Sequence, residues 1–342
     1  MSEFASTSLV YFCVDALAVW SLNLQYGYTG IINFGWIMFQ SVGAYVAGVL
    51  ALGPSSAPGS VQHYILGANL PFPLPLLGGA LAGAVLSLVV GGFLMARRIR
   101  PDFQAVITLI LALIAYQLVQ YEVPLFNGAA GISGVPQPFA GVLNLSTADY
   151  QWAYVGWGLV LCAVIYVIVE SLCRSPWGRA MRAVREDDVL TASLGVDVQS
   201  FRLVVFVIGG AIAGLSGGLL IEFLGAWSPN AWNYTETLVV FAAMYVGGRA
   251  NNRGVLLGAL LVPVVVGEMP SFLPTFGYPG FVDQLSWIVI GTGYLVMFYF
   301  WPRGIIPERR LVVRPPADEP ALDTLLPRRP LRRTIDTMRA LR

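Results

Sequence analysis

The residues that could perform chemistry are few in this sequence, and their types exclude several classes of protein. The chain has 342 residues and 20 basic side chains, every one of which is an arginine. A P-loop needs a lysine that reaches the nucleotide phosphates, and a retinal Schiff base also forms on a lysine. The sequence therefore predicts that this chain is neither a P-loop ATPase nor a rhodopsin.

Metal and redox centres also lack a matching residue pattern. The three cysteines have no metal-ligand spacing, and we interpret them as small buried hydrophobic residues: Cys13, Cys162 and Cys173. The only histidine, His63, lies in a connection rich in Pro, Gly and Ser. Asp187 and Asp188 are adjacent, but the Mg²⁺ site of a membrane transferase needs a second acidic cluster. We expect no metal site and no cofactor in this chain.

The elements that carry these residues must be membrane helices. Hydrophobic residues make up 56% of the chain and charged residues 11%, with a mean hydropathy of +0.69. A soluble domain carries about 25% charged residues. The predicted fold class is all-α, a polytopic integral membrane protein of about 8–10 transmembrane helices, because each crossing takes about 20 residues. The candidate spans are Leu9–Leu24, Ile31–Leu52, Leu74–Ala96, Phe103–Tyr121, Gln151–Leu172, Phe201–Leu224, Leu238–Val246, Val255–Glu268 and Asp283–Trp301.

The seventh and eighth of these spans are short, and Gly and Pro interrupt several others, so we expect broken or re-entrant helices. A short internal similarity links GGALAG (Gly78–Gly83) and GGAIAG (Gly209–Gly214), which lie in spans of opposite direction. Two interpretations stay open for it. The strings are either a trace of inverted repeats or small residues that pack helices closely.

Charge predicts the orientation. The arginines fall in four clusters separated by even numbers of candidate spans: residues 97–100, 174–202, 249–253 and 303–342. The positive-inside rule places all four in the cytoplasm. The other side carries acidic residues without a basic partner, which predicts an anionic outer face: Glu122, Asp149, Glu222, Glu236, Glu268 and Asp283.

The composition also divides the chain into two parts. Residues 1–307 form a transmembrane domain that contains a cytoplasmic loop, 174–202. Residues 308–342 are rich in Arg and Pro and cannot bury enough apolar area to fold alone. We expect this second part to be a mobile cytoplasmic tail.

The loop 174–202 predicts two amphipathic helices. Ser175 suits an N-cap, Pro176 the first helical position and Gly195 a C-terminal stop. Arg182 and Glu186 are spaced to pair at i, i+4. The apolar stripes lie at helical spacing, with Trp177, Met181 and Val184 on the first helix, and Leu190 and Leu194 on a second helix capped by Asp187 or Asp188.

Two interpretations of this loop remain open. Its helices could lie on the membrane surface, or they could dock an exposed apolar side into a groove on a cytoplasmic partner.

The loop resembles the coupling loop of the branched-chain amino-acid ABC transporter permeases, particularly the LivM kind. The similar positions are Gly178-Arg179-Ala180, Arg182-Ala183, Arg185-Glu186-Asp187 and Leu194-Gly195. Further similar stretches are LNLQYGYTGIINFGWIMFQSVGAYVAGVLA (22–51), GAAGISGVPQP (128–138), YVGGRANNRGVLLGALL (245–261) and WPRGIIP (301–307). The resemblance covers residues 9–307. The chain departs from the family at residues 249–253, where the family usually has a small apolar and aromatic turn.

The resemblance implies an ABC importer permease that moves branched-chain or other hydrophobic amino acids by alternating access. It implies four kinds of partner, namely a second homologous permease, two ATPase subunits that bind ATP and Mg, an extracytoplasmic substrate-binding protein and the lipid bilayer. No nucleic-acid partner is expected. The location implied is a prokaryotic plasma (inner) membrane, with several crossings and a cytoplasmic C-terminus. Permeases for urea or short amides remain an alternative, because relatives with the same loop can carry different solutes.

Site residues follow from the resemblance and from the glycine pattern. We assign coupling to the ATPase to Trp177, Gly178, Arg179, Met181, Arg182, Arg185, Glu186, Asp187, Leu194 and Gly195. Candidates for the translocation pathway are Gly27, Gly30, Phe34, Gly35, Tyr45, Gly131 and Gly134. A stand-alone ion-coupled carrier is disfavoured, because Asp15 is the only charge well inside a candidate span.

Overall fold

The computed structural model describes residues 2–54, 62–138, 147–267 and 304–308, together with single positions between 285 and 300. The elements follow in this order: α1 (Ser2–Leu22) with a π-helical extension (Asn23–Tyr28), α2 (Trp36–Ala51), α3 (Leu74–Ala96), α4 (Pro101–Tyr121), α5 (Val123–Phe126), a 3-10 turn (Gly128–Ala130), β1 (Ile132–Ser133), α6 (Thr147–Arg174), α7 (Pro176–Glu186), α8 (Asp188–Ser193), α9 (Val198–Leu224), β2 (Ala226–Trp227), a 3-10 turn (Pro229–Ala231), α10 (Tyr234–Gly247) and α11 (Asn252–Ala259), which continues as a π-helix (Leu260–Gly267). The prediction of an all-α membrane protein is confirmed.

Five helices in the described part of the chain are long and apolar enough to cross a membrane: Phe4–Tyr28, Leu74–Ala96, Pro101–Tyr121, Asp149–Arg174 and Val198–Leu224. Shorter apolar helices lie between them, at Trp36–Ala51 and Asn252–Val264. The predicted short seventh and eighth spans correspond to α10 and to α11 with its extension, and Pro263 lies in that extension. Ten of the 19 residues of the ninth candidate span lie outside the described residues.

Helices α2, α3 and α9 meet at a glycine interface formed by Gly43, Gly79, Gly83, Gly210 and Gly214. A methyl group on Gly83 would overlap the Gly210 carbonyl oxygen and lie 3.0 Å from the Gly214 Cα. Gly43 and Gly79 have equally little room. The strings GGALAG and GGAIAG therefore pack on one another in antiparallel helices, as small residues do in membranes. The inverted-repeat interpretation stays a prediction.

Buried polar side chains join the same helices. Trp36 Nε1 donates to Ser21 Oγ at 2.9 Å, and that hydroxyl donates to the Gly209 carbonyl at 2.7 Å. Gln40 Nε2 donates to Ser216 Oγ at 2.7 Å. These bonds connect α1, α2 and α9 where water cannot compete for them.

The outward sides of α3, α4 and α6 carry large apolar side chains. Val89 on α3 is 65% exposed, Phe103 on α4 is 59% exposed and Val167 on α6 is 63% exposed. Such surfaces suit lipid tails, since the hydrocarbon core offers no water to polar groups.

Glu222 requires a correction to the predicted anionic outer face. Its side chain lies within α9 and is only 1% exposed, so it does not contribute to a surface. The prediction was wrong because it rested on the position of the residue near a span end, whereas the helices that pack around α9 bury the side chain. Glu122 and Asp149 are exposed, and Glu268 and Asp283 lie outside the described residues.

Residues Met1–Glu308 form one compact unit. Residues 309–342 lie outside the described part, and so does the predicted mobile tail apart from its first residue, Glu308. Glu308 belongs to this compact unit.

Candidate functional site

The loop 174–202, here called the coupling loop after the family loop that it resembles, begins with a capped helix, as the sequence predicts. Ser175 Oγ accepts a hydrogen bond from the Trp177 backbone N–H at 3.2 Å, and Pro176 occupies the first turn of α7. Asp187 then caps α8, because one of its carboxylate oxygens accepts from the Val189 and Leu190 backbone N–H groups, both at 2.9 Å.

The C-terminal stop of α8 is also where the sequence places it. Gly195 adopts φ +88°, and its N–H bonds to the Ala192 carbonyl at 3.0 Å. A side chain rarely adopts this left-handed conformation, so glycine ends the helix here without strain.

Helix α7 packs one face against the membrane helices. Met181 and Val184 are fully buried, and Gly178 lies against the Cys173 carbonyl at the end of α6. Trp177 lies at the edge of this face, where it is 43% exposed and stacks on Phe201 with ring centroids 4.9 Å apart. The loop is therefore fixed to α6 and α9 by apolar contacts, while Arg179 and Glu186 remain exposed.

Two arginines of α7 meet one carboxylate in an arginine–glutamate cluster, formed by Arg182, Arg185 and Glu308. Arg182 Nε lies 3.0 Å from Glu308 Oε1, and Arg185 NH2 lies 2.7 Å from Glu308 Oε2. The three side chains are only 18–25% exposed, which strengthens charge-assisted hydrogen bonds relative to surface pairs. The predicted pair of Arg182 with Glu186 is wrong, because Glu308 draws Arg182 away from the exposed side of the helix.

Arg185 also reaches the break between the first two membrane helices. Its second NH group donates to the Gly27 carbonyl, and Gly30 lies against its stem. Arg182 lies over the Tyr28 ring, with its guanidinium carbon 5.2 Å from the ring centroid. Helix α7 is therefore connected directly to the π-helical end of α1.

The two adjacent aspartates of the loop serve structure. Asp187 caps α8, and Asp188 pairs with the buried Arg202 at 2.7 Å, which holds α8 against the start of α9. Asp197 caps α9, and its hydrogen bonds from the Ser200 hydroxyl and backbone N–H keep the pKa of Asp197 below its ordinary value.

The surface of α8 leaves apolar side chains uncovered. Val189 is 80% exposed, Leu190 60% and Leu194 76%. Together they give α8 an exposed apolar patch, which is a candidate interaction surface.

The residues 248–254 hold the same region from the other side. Asn252 Nδ2 donates to Glu170 at 2.8 Å, and its Oδ1 accepts from Asn23 at 3.0 Å. The Asn252 carbonyl accepts from Trp20 Nε1 at 3.0 Å. Asn23 Oδ1 in turn accepts from the Ala250 backbone N–H at 2.8 Å.

The segment Gly304–Glu308 completes the assembly. Ile305 and Ile306 donate backbone hydrogen bonds to Val246 and Gly247 at 2.9 and 3.1 Å. Gly304, at φ +74°, lies against Gly248, where a side chain would not fit. Four stretches far apart in sequence therefore meet at one end of the molecule: the end of α1, the coupling loop, residues 248–254 and residues 304–308.

The predicted pathway residues fall into two groups, and the first lies near this assembly. Gly27 and Gly35 are packing positions, against Ala250 and the Thr108 carbonyl respectively. Phe34 lines a cavity of about 460 Å³ together with Tyr26, Phe241 and other residues of α10.

The second group lies at the opposite end, around a two-stranded antiparallel sheet in which Ile132 pairs with Trp227. Tyr45 donates to the Leu125 carbonyl at 2.7 Å and packs against the Trp227 ring with centroids 5.1 Å apart. Gly131 lies against the Trp227 carbonyl, whereas Gly134 has open space around it. Tyr45 and Gly131 are thus packing positions at this end, and the assignment of all seven residues to a pathway stays a prediction.

Comparison with known proteins adds the family. Residues 4–291 match the family described as "Branched-chain amino acid transport system / permease component". The chain belongs to this permease family. It is accordingly a multi-pass membrane permease and not an enzyme.

Relatives of both permease types are found. The chain is 26% identical over 336 residues to the probable branched-chain amino acid transport permease protein LivM of Methanocaldococcus jannaschii, which covers 92% of this chain and 96% of that protein. It is 27% identical to the high-affinity permease protein LivM of Salmonella typhimurium, in an alignment that covers 90% of this chain and 70% of that protein. It is 24% identical to the high-affinity permease protein LivH of Escherichia coli K12, in an alignment that covers 85% of this chain and 90% of that protein.

The sequence did not indicate several of the residues that join the four stretches at this end of the permease. Glu308 was assigned to the tail, and Asn23 and Glu170 carried no motif. Asn252 was noted only as a departure from the family. A polar residue inside an apolar run was the available signal for Asn23, because such residues bond to neighbouring helices.

Proposed function

We propose that this chain is a permease subunit of an ATP-driven importer for branched-chain or other hydrophobic amino acids. The observation that carries the proposal is the connection from the exposed patch on α8, through α7 and Arg185, to the Gly27 carbonyl at the break after α1. A partner that moves the loop would thereby move the first membrane helix. The named relatives, which are branched-chain amino acid permeases, support the substrate class.

The proposed partners supply what this chain lacks. Two ATPase subunits bind ATP and Mg and dock on the patch, since the chain has no lysine for a P-loop. A second, homologous permease completes the pathway, and the likeness to both LivM and LivH proteins supports this pairing. An extracytoplasmic binding protein delivers the solute.

The proposed location is a prokaryotic plasma (inner) membrane with the C-terminus in the cytoplasm. The antiparallel packing of α3 on α9 supports this orientation, because the arginines at 97–100 follow the end of α3 that lies nearest the start of α9 and the loop before it. Exposed Glu122 and Asp149 on the other side would attract basic residues of the binding protein. Raising the salt concentration should then slow that association.

The experiment is ATP-dependent uptake in proteoliposomes that contain the two permeases, the ATPase and the binding protein. Labelled leucine should accumulate only with ATP, and labelled urea should not accumulate. Accumulation of leucine by this chain without the ATPase would overturn the proposal in favour of an ion-coupled carrier. Accumulation of urea but not of leucine would show that the proposed substrate class is wrong.

A further inference from the structure

The cavity near Phe34 is built mainly from one side of α10. Thr235, Leu238, Val239, Ala242 and Tyr245 line it at a spacing that keeps them on one helix face. Ten residues of helix rise about 15 Å, so this face extends over about half of the hydrocarbon core.

Two aromatic rings from the break between α1 and α2 pack on α10 and line the cavity beside this face. The Phe34 ring packs edge-to-face on Phe241 with centroids 5.2 Å apart, and the Tyr26 ring lies 5.6 Å from Phe241. The hydroxyl groups of Tyr26 and Tyr245 bond to each other and close one end. The described lining contains no charged side chain.

These dimensions and this chemistry select a ligand class. A volume of about 460 Å³ falls within the range of about 300–1,000 Å³ that is usual for small-molecule sites. An apolar, aromatic wall favours an aliphatic group. It offers urea or a short amide only the tyrosine pair and Thr235, so a polar solute would lose hydrogen bonds to water on entering.

The cavity is also connected to the arginine–glutamate cluster. Tyr26 directly precedes Gly27, whose carbonyl accepts the Arg185 hydrogen bond. A shift of α7 that pulls on Gly27 would separate Tyr26 from Tyr245 and open the closed end. A lipid acyl chain could fill an apolar cavity, but would need no such connection to the coupling loop.

We propose that the cavity between α10 and the α1–α2 break receives the aliphatic side chain of the transported amino acid, with the Tyr26–Tyr245 pair as its gate. This inference rests on the proposed function and deepens it, because it assigns the selection of aliphatic over polar solutes to this chain. The α-amino and α-carboxyl groups of the solute remain outside the described lining.

The test uses alkylation of an introduced thiol in the full complex in lipid nanodiscs. Ala242 is as buried as Cys162, so Cys13, Cys162 and Cys173 are first replaced by Ala, which leaves Ala242→Cys as the one thiol of this chain for a small maleimide to label. Leucine should slow this labelling at least five-fold, whereas urea at the same concentration should leave it unchanged. Ala192→Cys on the exposed coupling loop is the control, and its labelling should not respond to leucine.

A second variant separates this inference from the proposed function. Ala242→Phe fills part of the cavity and should lower ATP-dependent leucine uptake at least ten-fold, with ATPase binding retained. Val89→Phe, on the lipid-facing side of α3, makes a similar change in an open place and should transport normally. If the wild-type complex transports leucine, then equal uptake by Ala242→Phe, or labelling of Ala242→Cys that responds to lipid but not to leucine, overturns the cavity assignment. Absence of ATP-dependent leucine uptake by the wild type overturns the proposed function itself.

Discussion

At the glycine interface, helices α2, α3 and α9 meet backbone to backbone, whereas the arginine–glutamate cluster joins α7 to the end of α1 and to Glu308 through long side chains. A contact between backbones fixes the distance between two helices, because a backbone carbonyl has no side-chain torsion that could adjust it. Arginine and glutamate side chains can keep a contact while the helices that carry them shift. We therefore propose that the core of α2, α3 and α9 is rigid, and that the contact between α7 and the end of α1 is the one that can adjust.

The largest effect is expected where the backbones touch. Gly83→Val places a branched side chain against the Gly210 carbonyl and the Gly214 backbone, and such overpacking costs about 3 kcal/mol or more. We expect no folded protein to accumulate, as measured by the yield of monodisperse protein after detergent extraction. Gly92→Val on the same helix faces open space and should extract normally. Equal yields from the two variants would contradict the rigid interface.

The second effect concerns the exposed patch of α8. The double variant Leu190→Asp, Leu194→Asp puts charges where we propose that an ATPase buries apolar side chains, so affinity for the ATPase should fall at least about 100-fold. Ala192→Asp adds a charge on another side of α8 and should change affinity less than about three-fold. The affinity of each variant for the ATPase is measured by fluorescence in nanodiscs. Unchanged affinity in the double variant would show that the patch faces lipid headgroups.

A smaller effect is expected for the polar contacts that join residues 248–254 to the end of α1 and to α6. Asn252→Ala removes the acceptor of the buried Asn23 amide N–H and one donor to the Glu170 carboxylate, which should cost about 2 kcal/mol of stability. Asn230→Ala removes an exposed hydrogen bond to Tyr116 and should cost less than about 0.5 kcal/mol. Thermal unfolding in detergent measures both, and an Asn252→Ala protein as stable as Asn230→Ala would remove the assigned role.

The smallest effect is local to α7. Ser175→Ala removes the N-cap and should cost about 1 kcal/mol, with only a slight loss of uptake. Ser193→Ala, which removes an exposed hydroxyl that bonds within α8, is the matched control and should be neutral. A neutral Ser175→Ala would mean that apolar contacts alone fix the start of the helix.

The features that the sequence predicted correctly are local. The span Leu74–Ala96 has the same bounds in the structure, because apolar content along one segment decides whether it crosses a membrane. The caps at Ser175 and Asp187 and the stop at Gly195 depend on neighbours within a few residues. These features need no knowledge of the rest of the fold.

The features that the sequence missed are long-range. Arg182 has a possible local partner in Glu186, but it bonds to Glu308, which lies 126 residues away. The burial of Glu222 depends on helices that pack around it. The antiparallel contact between the two glycine strings also follows only from the assembled helices, so no pattern along the chain could distinguish packing from repetition.

The central claim is that force applied to the coupling loop reaches the membrane helices through the arginine–glutamate cluster, and leucine transported per ATP hydrolysed tests it most directly. The double variant Arg182→Glu, Arg185→Glu should insert and bind the ATPase, yet transport at least ten-fold less leucine per ATP, because Gly27 loses its donor and Glu308 is repelled. Adding Glu308→Arg should recover part of that transport. Arg97→Glu, Arg100→Glu makes the same charge change at exposed positions of the same end and should keep the normal ratio. An unchanged ratio in the cluster double variant would contradict the account.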